Sequence, residues 1–167
     1  MAAHDVPLIG VNLGRVGFLV DICAEQALEK IQAILDGLRV VEQRTQLRAT
    51  LLREGQALHE HCALNEVVMH RWISASMIEL LTTIDGLFLN TQRCDGLIVA
   101  TPTGSTAYAL SGGGPILHPR LAAMALVPIN PYTITNRPIV LDDRSLVEIT
   151  FSAGKEVNAQ ISCDTIS

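Results

Sequence analysis

The chain is 167 residues long; 49% of its residues are hydrophobic, 17% are charged, and its formal net charge is −5. This length and composition fit one domain with a buried core and exclude a disordered chain. The negative charge argues against a nucleic-acid backbone as main partner, because that binding depends on lysine and arginine side chains that neutralise phosphates.

Two further features concern the compartment. The longest apolar run, residues 121–129, is interrupted by Pro128 and falls short of the about 20 residues that a membrane-spanning helix needs. The first residues have no basic and apolar pattern, so we expect no export signal. The cysteines lack both a C-x-x-C pair and the density of a secreted disulfide framework. We therefore expect a cytoplasmic protein with four reduced, mostly buried thiols, Cys23, Cys62, Cys94 and Cys163.

The first predicted elements are a short strand and a helix. Residues 7–11 form an apolar strand that enters a glycine-containing turn at 12–19. The glycines there do not have the G-x-G-x-x-G spacing of a Rossmann dinucleotide turn. From residue 24 to residue 38 the apolar positions recur with a helical period, which predicts one amphipathic helix that covers a core.

Beyond the helix the hydrophobic period changes to two, which indicates strands. Residues 47–52 and 57–63 flank a turn at 54–56 and predict a hairpin. His59 and His61 would project from the same face of its second strand, but two ligands make no metal site without a third. We interpret both as exposed polar residues and predict no metal ligand in this chain.

An Asn-Glu pair, Asn65 and Glu66, stands at the junction of the next two strands. Such a pair can be turn chemistry alone. It also suits a nucleoside, because a carboxamide donates and accepts at a base edge and a carboxylate accepts from ribose hydroxyls. The residues by themselves leave both interpretations open.

A second hairpin is predicted around Ile84-Asp85-Gly86, with strands at 77–81 and 87–91. Its second strand leads to the charged residues Arg93 and Asp95. A charged pair at this position is either a solvated strand edge or a ligand contact.

The stretch 94–116 is the most informative part of the sequence. A short apolar strand at 97–100 runs into a turn with four hydroxyl side chains, Thr101, Thr103, Ser105 and Thr106. Residues 106–111 can then form one or two helical turns before three glycines end them. The first N–H groups of a helix lack internal partners and attract anions and sugar hydroxyls. Taken alone, the loop also fits a hydroxyl-capped corner without a ligand.

The last third of the chain predicts strands and turns. Dense prolines between residues 115 and 138 exclude a long helix and favour edge strands. Residues 146–151 and 157–162 alternate about a turn at Gly154 and predict a final hairpin. The expected fold is therefore mainly β: packed antiparallel sheets rich in hairpins, with one amphipathic helix near the N-terminus.

Two enzyme classes are disfavoured. A P-loop ATPase needs a lysine after its glycines, in the frame G-x-x-x-x-G-K-[ST], and no such lysine is present. A serine hydrolase needs G-x-S-x-G, a frame that neither Ser105 nor Ser111 has.

Residues 95–116 resemble, nearly residue for residue, the signature D-G-x-x-x-x-T-P-T-G-S-T-A-Y-x-x-S-x-G-G-P-I of the NAD kinase family. The likeness extends over essentially the whole chain. Further segments are similar to the family motifs N-x-G-x-x-G-F-L at 12–19, N-E at 65–66, L-x-P-I-x-P-H at 126–132 and R-P-I-V at 137–140. Tyr132 replaces the histidine of one motif, and Ile166 stands where the family often has a nucleotide-contacting Gln.

The resemblance implies the second domain of such a kinase, truncated at both ends. Residues 1–20 would be the remnant of a preceding α/β domain and its linker, and residues 21–167 a β-rich NAD-binding domain. The chain contains no G-G-D-G motif, which in the family carries the aspartate assigned as catalytic base. We therefore expect no catalytic residue in this chain and no kinase activity from it alone.

The implied reaction is phosphoryl transfer from ATP, with a divalent metal such as Mg²⁺, to the 2′-hydroxyl of the adenosine ribose of NAD, which gives NADP. Asn65 would recognise the base or ribose, Glu66 the ribose hydroxyls, Tyr108 would pack on a ring, and Asp95 would reach a neighbouring subunit's site in a dimer or tetramer. The implied nucleotide-binding residues are Asn65, Glu66, Arg93, Asp95, Thr106, Ala107, Tyr108, Ala109, Leu110 and Ser111. The alternative is a non-catalytic nucleotide-binding or oligomerisation domain.

Overall fold

The chain divides into two compact units, Met1–Gln43 and Arg44–Ser167. The predicted domain boundary after residue 20 stays a prediction. The computed structural model describes residues 6–13, 20, 22–72, 76–152 and 158–164. Residues 14–19 of the turn predicted at 12–19, the predicted turn at Gly154 and the position of Ile166 lie outside the described residues.

The first unit contains the predicted amphipathic helix. Two short strands, β1 (Val11–Asn12) and β2 (Ile22–Cys23), pair in parallel. A 3-10 turn at Ala24–Gln26 leads into helix α1 (Ala27–Leu35), and Gly37 follows in the left-handed conformation that ends many helices. No residue of α1 is buried, so the expectation that this helix covers a core is not met.

The second unit is built from antiparallel strands, as the hydrophobic pattern predicts. Its one described α-helix, α2 (Tyr108–Ser111), has four residues. The described strands are, in chain order, β3 (Leu47–Arg53), β4 (Gln56–Ala63), β5 (Glu66–Arg71), β6 (Ile78–Ile84), β7 (Leu87–Cys94), β8 (Gly96–Ala100), β9 (Ala123–Ile129), β10 (Ile139–Asp142), β11 (Val147–Phe151) and β12 (Ala159–Cys163).

A five-stranded sheet in the order β10-β9-β8-β5-β12 forms the centre of this unit. A three-stranded sheet, β11-β6-β7, packs on one of its faces. Between the two sheets lies a dry core in which residues of the first sheet meet residues of the second; its buried members are Met69, Ile78, Leu80, Cys94, Leu97, Val99, Met124 and Leu126. This two-layer arrangement buries the apolar face of each sheet.

Both hairpins predicted from turn residues are present. β3 pairs with β4, and β6 pairs with β7. Glu54 and Gly55 have φ values of 52° and 76°, and Asp85 and Gly86 have 51° and 77°. Positive φ at two successive residues is the signature of a type I′ turn, whose twist matches that of the strands.

The final hairpin is a wrong prediction. β11 pairs with β6 in the three-stranded sheet, whereas β12 pairs with β5 in the five-stranded sheet. Alternation of apolar and polar residues reports that a strand has one buried face, but it does not report which strand lies beside it. Ile149 of β11 and Ile161 of β12 both pack against the core between the sheets, so the same pattern serves two different sheets.

The expectation of edge strands around the prolines is wrong for β9. This strand lies inside the sheet, between β10 and β8, although it contains Pro128. The proline is tolerated because β10 pairs only with residues 123–126 of β9. Pro128 therefore lies beyond the end of β10, where one side of β9 has no ladder to interrupt.

Candidate functional site

The face of the five-stranded sheet that turns away from the three-stranded sheet is only partly covered. Ala109 of α2 and Leu117 pack there against Ile98, Ala125 and Val127 in a second apolar core. A helix of four residues is too short to cover five strands. The uncovered part of the face is an open cleft of about 370 Å³, lined by Glu66, Val68, His70, Arg71, Asp95, Tyr108, Ile129, Asn130, Ser162 and Asp164.

The turn between β8 and α2 is tied to the start of β5 by its own hydroxyls. Thr101 Oγ1 donates to the Leu64 carbonyl at 2.6 Å and accepts from the Gly104 N–H at 3.1 Å. Ser105 Oγ donates to the Pro102 carbonyl at 2.6 Å and accepts from the Leu117 N–H at 2.9 Å. These two buried hydroxyls therefore hold the loop in shape, and they do not line the cleft.

Gly104 makes the closest approach in this region. A Cβ atom at this position would lie 2.0 Å from the Asn65 carbonyl oxygen and 2.4 Å from its carbon. The Thr101 N–H also donates to the Asn65 carbonyl at 2.8 Å. A glycine is required here because the backbones of the two loops touch, and this contact brings the Asn-Glu pair against the T-P-T-G turn.

Asp164 fixes the start of β5 from the other side. Its Oδ2 accepts from the Leu64 N–H at 2.9 Å, and its Oδ1 accepts from the N–H groups of Asn65 at 2.7 Å and Glu66 at 3.1 Å. Asp164 has φ 53°, a left-handed conformation that aspartate and asparagine adopt more readily than most residues. The carboxylate thus satisfies three consecutive N–H groups that precede or open the strand.

Glu66 presents a carboxylate to the cleft. Only 7% of the residue is exposed, and its Oε2 is one of the buried side-chain atoms in the described residues that have no hydrogen-bond partner. Burial, and secondly the charge of Asp164, raise the pKa of the Glu66 carboxyl above its ordinary value. A buried acceptor without a partner is costly, and a ligand that donates hydrogen bonds would satisfy it.

Asp95 also lines the cleft. Its Oδ1 lies 2.9 Å from Arg71 Nε, and its Oδ2 accepts from Asn130 Nδ2 at 3.0 Å. Tyr108 also lines the cleft and is 46% exposed. The cleft therefore offers three carboxylates beside an accessible aromatic ring. Glu66 has one oxygen without a hydrogen-bond partner, whereas both oxygens of Asp95 and both oxygens of Asp164 are engaged.

Three of the residues predicted for the site, Glu66, Asp95 and Tyr108, line the cleft together. Asn65 directly precedes Glu66, and its backbone contacts the T-P-T-G turn at Gly104 and Thr101. Arg93 instead lies over the ring of Tyr132, with 5.6 Å from its guanidinium carbon to the ring centre. The binding roles of all of these residues stay predictions.

The other predicted residues of the loop and α2 are not among those that line the cleft. Thr106 Oγ1 donates to the Thr103 carbonyl at 3.2 Å, and Ala109 is fully buried in the core. Ala107 is half-buried, and Leu110 and Ser111 are exposed. Among the residues of α2, Tyr108 lines the cleft.

Sequence reasoning missed five polar residues of the cleft: His70, Arg71, Asn130, Ser162 and Asp164. Ser162 and Asp164 belong to the end of the chain, which pairs with β5, and strand pairing was not visible in the sequence. A period-two pattern along β5 does place Glu66, Val68 and His70 on one face. This was the one signal that could have added His70 to the site.

No group of three or more histidine, cysteine or acidic side chains within the described ranges could hold a metal ion. The described segments also contain no helix that is long and apolar enough to cross a membrane.

Comparison with known protein families identifies the second unit. A sequence model of the ATP-NAD kinase C-terminal domain matches residues 64–166. An NAD kinase of Methylococcus capsulatus is 60% identical over 164 residues, which cover 98% of this chain and 57% of that protein. An NAD kinase of Pseudomonas putida is 49% identical over 98% of this chain and 55% of its own length. The chain thus spans little more than half the length of these relatives.

Solved structures show the same fold. The crystal structure of yeast NADH kinase complexed with NADH matches with a TM-score of 0.86 and 32% identity, over 93% of this chain and 45% of that one. An NAD kinase from Archaeoglobus fulgidus in complex with ATP matches with a TM-score of 0.78 and 30% identity, over 95% of this chain and 59% of that one. The mainly β fold expected from the sequence is confirmed.

Proposed function

The chain belongs to the ATP-NAD kinase C-terminal domain family, and we propose that it supplies the NAD-binding half of an NAD kinase. The cleft beside β5 is the proposed binding site. The observation that carries the proposal is the buried, unpartnered Oε2 of Glu66, which lines one cleft together with Tyr108 inside the segment that matches the family.

The proposed reaction transfers a phosphoryl group from ATP to the 2′-hydroxyl of the adenosine ribose of NAD, with NADP as product. Catalysis of phosphoryl transfer is mainly positioning and charge stabilisation, and this chain contributes the positioning of the acceptor. Glu66 accepts from ribose hydroxyls, which satisfies its open oxygen, and Tyr108 packs on a ring of the dinucleotide. Asn65 contributes its side-chain amide to the base or ribose.

ATP and a divalent metal complete the proposed reaction. The sequence contains no G-G-D-G motif, and the described residues form no metal cluster. We therefore assign neither the catalytic base nor a metal ligand to these residues and route no step through a metal. The purified chain is expected to form no measurable NADP from NAD and ATP; NADP formation above the no-protein rate would contradict this.

Calorimetric titration of the 167-residue chain with NAD tests the site. The variants Glu66→Ala and Tyr108→Ala should each weaken binding by about tenfold, the equivalent of one lost charged hydrogen bond or one ring contact. Glu148→Ala, which removes an exposed glutamate of β11 that bonds to Thr83, should bind as the wild-type chain does. Since Tyr108 is half exposed, its truncation leaves the fold intact and keeps the test valid if Glu66→Ala is unstable.

The alternative, a non-catalytic nucleotide-binding or oligomerisation domain, gives different results. A folded, self-associated chain without affinity for NAD would favour assembly alone. Strands with an open edge, such as β7 and β11 in the three-stranded sheet, support self-association. We propose a dimer or tetramer in the cytoplasm, in agreement with the four free cysteines, and light scattering on a sizing column measures its mass.

A further inference from the structure

Both oxygens of the Asp95 carboxylate are engaged at the wall of the cleft. Arg71 Nε lies 2.9 Å from Oδ1, and Asn130 Nδ2 donates to Oδ2 at 3.0 Å. The backbone holds the same residues together: the Arg71 N–H donates to the Asp95 carbonyl, and the Asp95 N–H donates to the Ile129 carbonyl, each at 2.9 Å. Asp95 is thus fixed from β5 on one side and from the end of β9 on the other.

Asn130 adopts an uncommon conformation at this place. It follows the last residue of β9 and has φ 44°, a left-handed conformation that disfavours side chains with a Cβ atom. Asparagine tolerates it better than most residues, but glycine would adopt it at lower cost. The side chain that glycine lacks is the amide that donates to Asp95.

The Glu66 and Asp95 carboxylates of the cleft differ in a way that predicts different ligand groups. Glu66 keeps one oxygen without a partner, whereas the Asp95 carboxylate has a cation on one oxygen and an amide on the other. Each oxygen of a carboxylate accepts two hydrogen bonds. Asp95 can therefore still accept hydrogen bonds from a ligand, while the arginine neutralises its charge and fixes its direction.

We propose that Arg71 and Asn130 are positioning residues that hold the Asp95 carboxylate ready for a neutral hydrogen-bond donor of the dinucleotide, a hydroxyl or an amide N–H. The inference rests on the proposed function, because it takes NAD as the occupant of the cleft. Preorganisation is the physical basis: a carboxylate that is already held loses little rotational freedom when the ligand binds. Neither residue has to touch the ligand.

The test measures NAD affinity of the full chain by calorimetry for the wild type and for Arg71→Gln, Arg71→Lys, Asn130→Gly and Asp95→Asn. Arg71→Gln should lose about tenfold and Arg71→Lys less, because lysine keeps the charge but not the planar guanidinium. The matched control is Arg144→Gln, since Arg144 Nη2 lies 2.9 Å from Asp142 Oδ2 and neither residue lines the cleft. This control should bind NAD as the wild type does.

Asn130→Gly separates positioning from stability. It removes the amide and at the same time relieves the left-handed backbone, so its thermal midpoint should not fall while its NAD affinity falls severalfold. A merely structural role for Asn130 predicts the opposite pattern, with a lower midpoint and unchanged affinity. This variant also keeps the test decisive if Arg71→Gln fails to fold.

The double variant Arg71→Gln/Asp95→Asn identifies the route of the effect. If Arg71 acts through Asp95, the double variant binds no more weakly than Asp95→Asn alone. Additive losses, or wild-type affinity of Arg71→Gln and Asn130→Gly, would overturn the inference and leave the proposed function standing. A wild-type chain that binds no NAD would overturn both.

Discussion

The two faces of the five-stranded sheet use the same strands for opposite purposes. On β5, Val67 and Met69 lie in apolar cores, whereas Glu66 and His70 line the cleft on the other face. One face is covered by a whole sheet and is dry. The other is covered by a four-residue helix and its loops, which leave room for polar side chains and one unpartnered carboxylate oxygen.

This difference separates stability from binding along a single strand. Alternate residues of a strand point to opposite faces, so substitutions one position apart should act on different properties. The face between the sheets should control the free energy of unfolding. The cleft face should control ligand affinity. The exception is the contact between Gly104 and Asn65, which holds the covering loop and should therefore affect stability.

The largest expected effect is at Gly104, where the loop that covers the cleft face contacts the Asn65 backbone. Gly104→Ala places a Cβ atom 2.0 Å from the Asn65 carbonyl oxygen. The nearest atoms all belong to the Asn65 backbone, which cannot move aside as a flexible side chain would. We expect a loss of about 4 kcal/mol in the free energy of unfolding, or no folded protein. Urea denaturation measures it, with Gly113→Ala as control.

Gly113 has φ 82° and nothing within 4 Å of its ideal Cβ position. The control should therefore lose only about 1 kcal/mol, from backbone strain. Equal losses of stability in the two variants would mean that the contact between the T-P-T-G turn and Asn65 does not hold the loop between β8 and α2 in place.

The dry face is tested by Leu80→Ala. Leu80 is fully buried between the two sheets, and its truncation should cost about 3 kcal/mol through lost burial and a residual cavity. Leu87→Ala, at a leucine that is 75% exposed, should cost less than about 0.5 kcal/mol. NAD affinity of folded Leu80→Ala should equal that of the wild type; a tenfold weaker affinity would show that the two faces are not independent.

Glu66→Gln should raise stability while it lowers NAD affinity. The pKa of the Glu66 carboxyl is raised by burial and by Asp164, so the folded chain holds this proton more tightly than the unfolded chain. Folding stability then falls as the pH rises from the ordinary glutamate pKa through the folded-state pKa. Glutamine removes this penalty, so the thermal midpoint of Glu66→Gln at neutral pH should lie above that of the wild type.

The pH dependence of the stability difference between Glu66→Gln and the wild type provides a control. Below about pH 4, glutamate is protonated in the unfolded chain as well, so the advantage of Glu66→Gln should disappear. Thermal melts between pH 4 and pH 8 measure the trend. A constant difference across this range would mean that the Glu66 charge is not penalised in the folded chain.

The last prediction concerns the reactivity of the cysteines. Burial raises the pKa of the Cys94 thiol to about 11, and Cys94 lies in the core between the sheets, whereas Cys62 is exposed. Since the thiolate is the reactive form, iodoacetamide at neutral pH should modify Cys94 at least about a hundredfold more slowly than Cys62. Mass spectrometry of timed samples measures both rates, and equal rates would contradict a dry core at this face.

Local sequence chemistry determined much of this protein. Asp85 and the turn glycines Gly55 and Gly86 adopt the positive φ that their residue types favour, and the period-two pattern flanks both turns, so both hairpins were predictable. The signature from Asp95 to Ile116 and the Asn65-Glu66 pair indicate the family from the sequence alone. These features are readable because each depends on residues that are close in the chain.

Strand partners and long-range contacts were decided by the tertiary structure. β11 and β12 belong to different sheets, and Asp164 supports the start of β5 across about a hundred residues of sequence. The buried hydroxyls of Thr101 and Ser105 bond to backbone groups of the loop and of Leu64, and the cleft is lined in part by residues such as Arg71 and Asn130 that carried no signal. The neighbours of a side chain in the sequence do not specify which distant backbone group it will contact. Only the packing of the whole sheet brings such groups together.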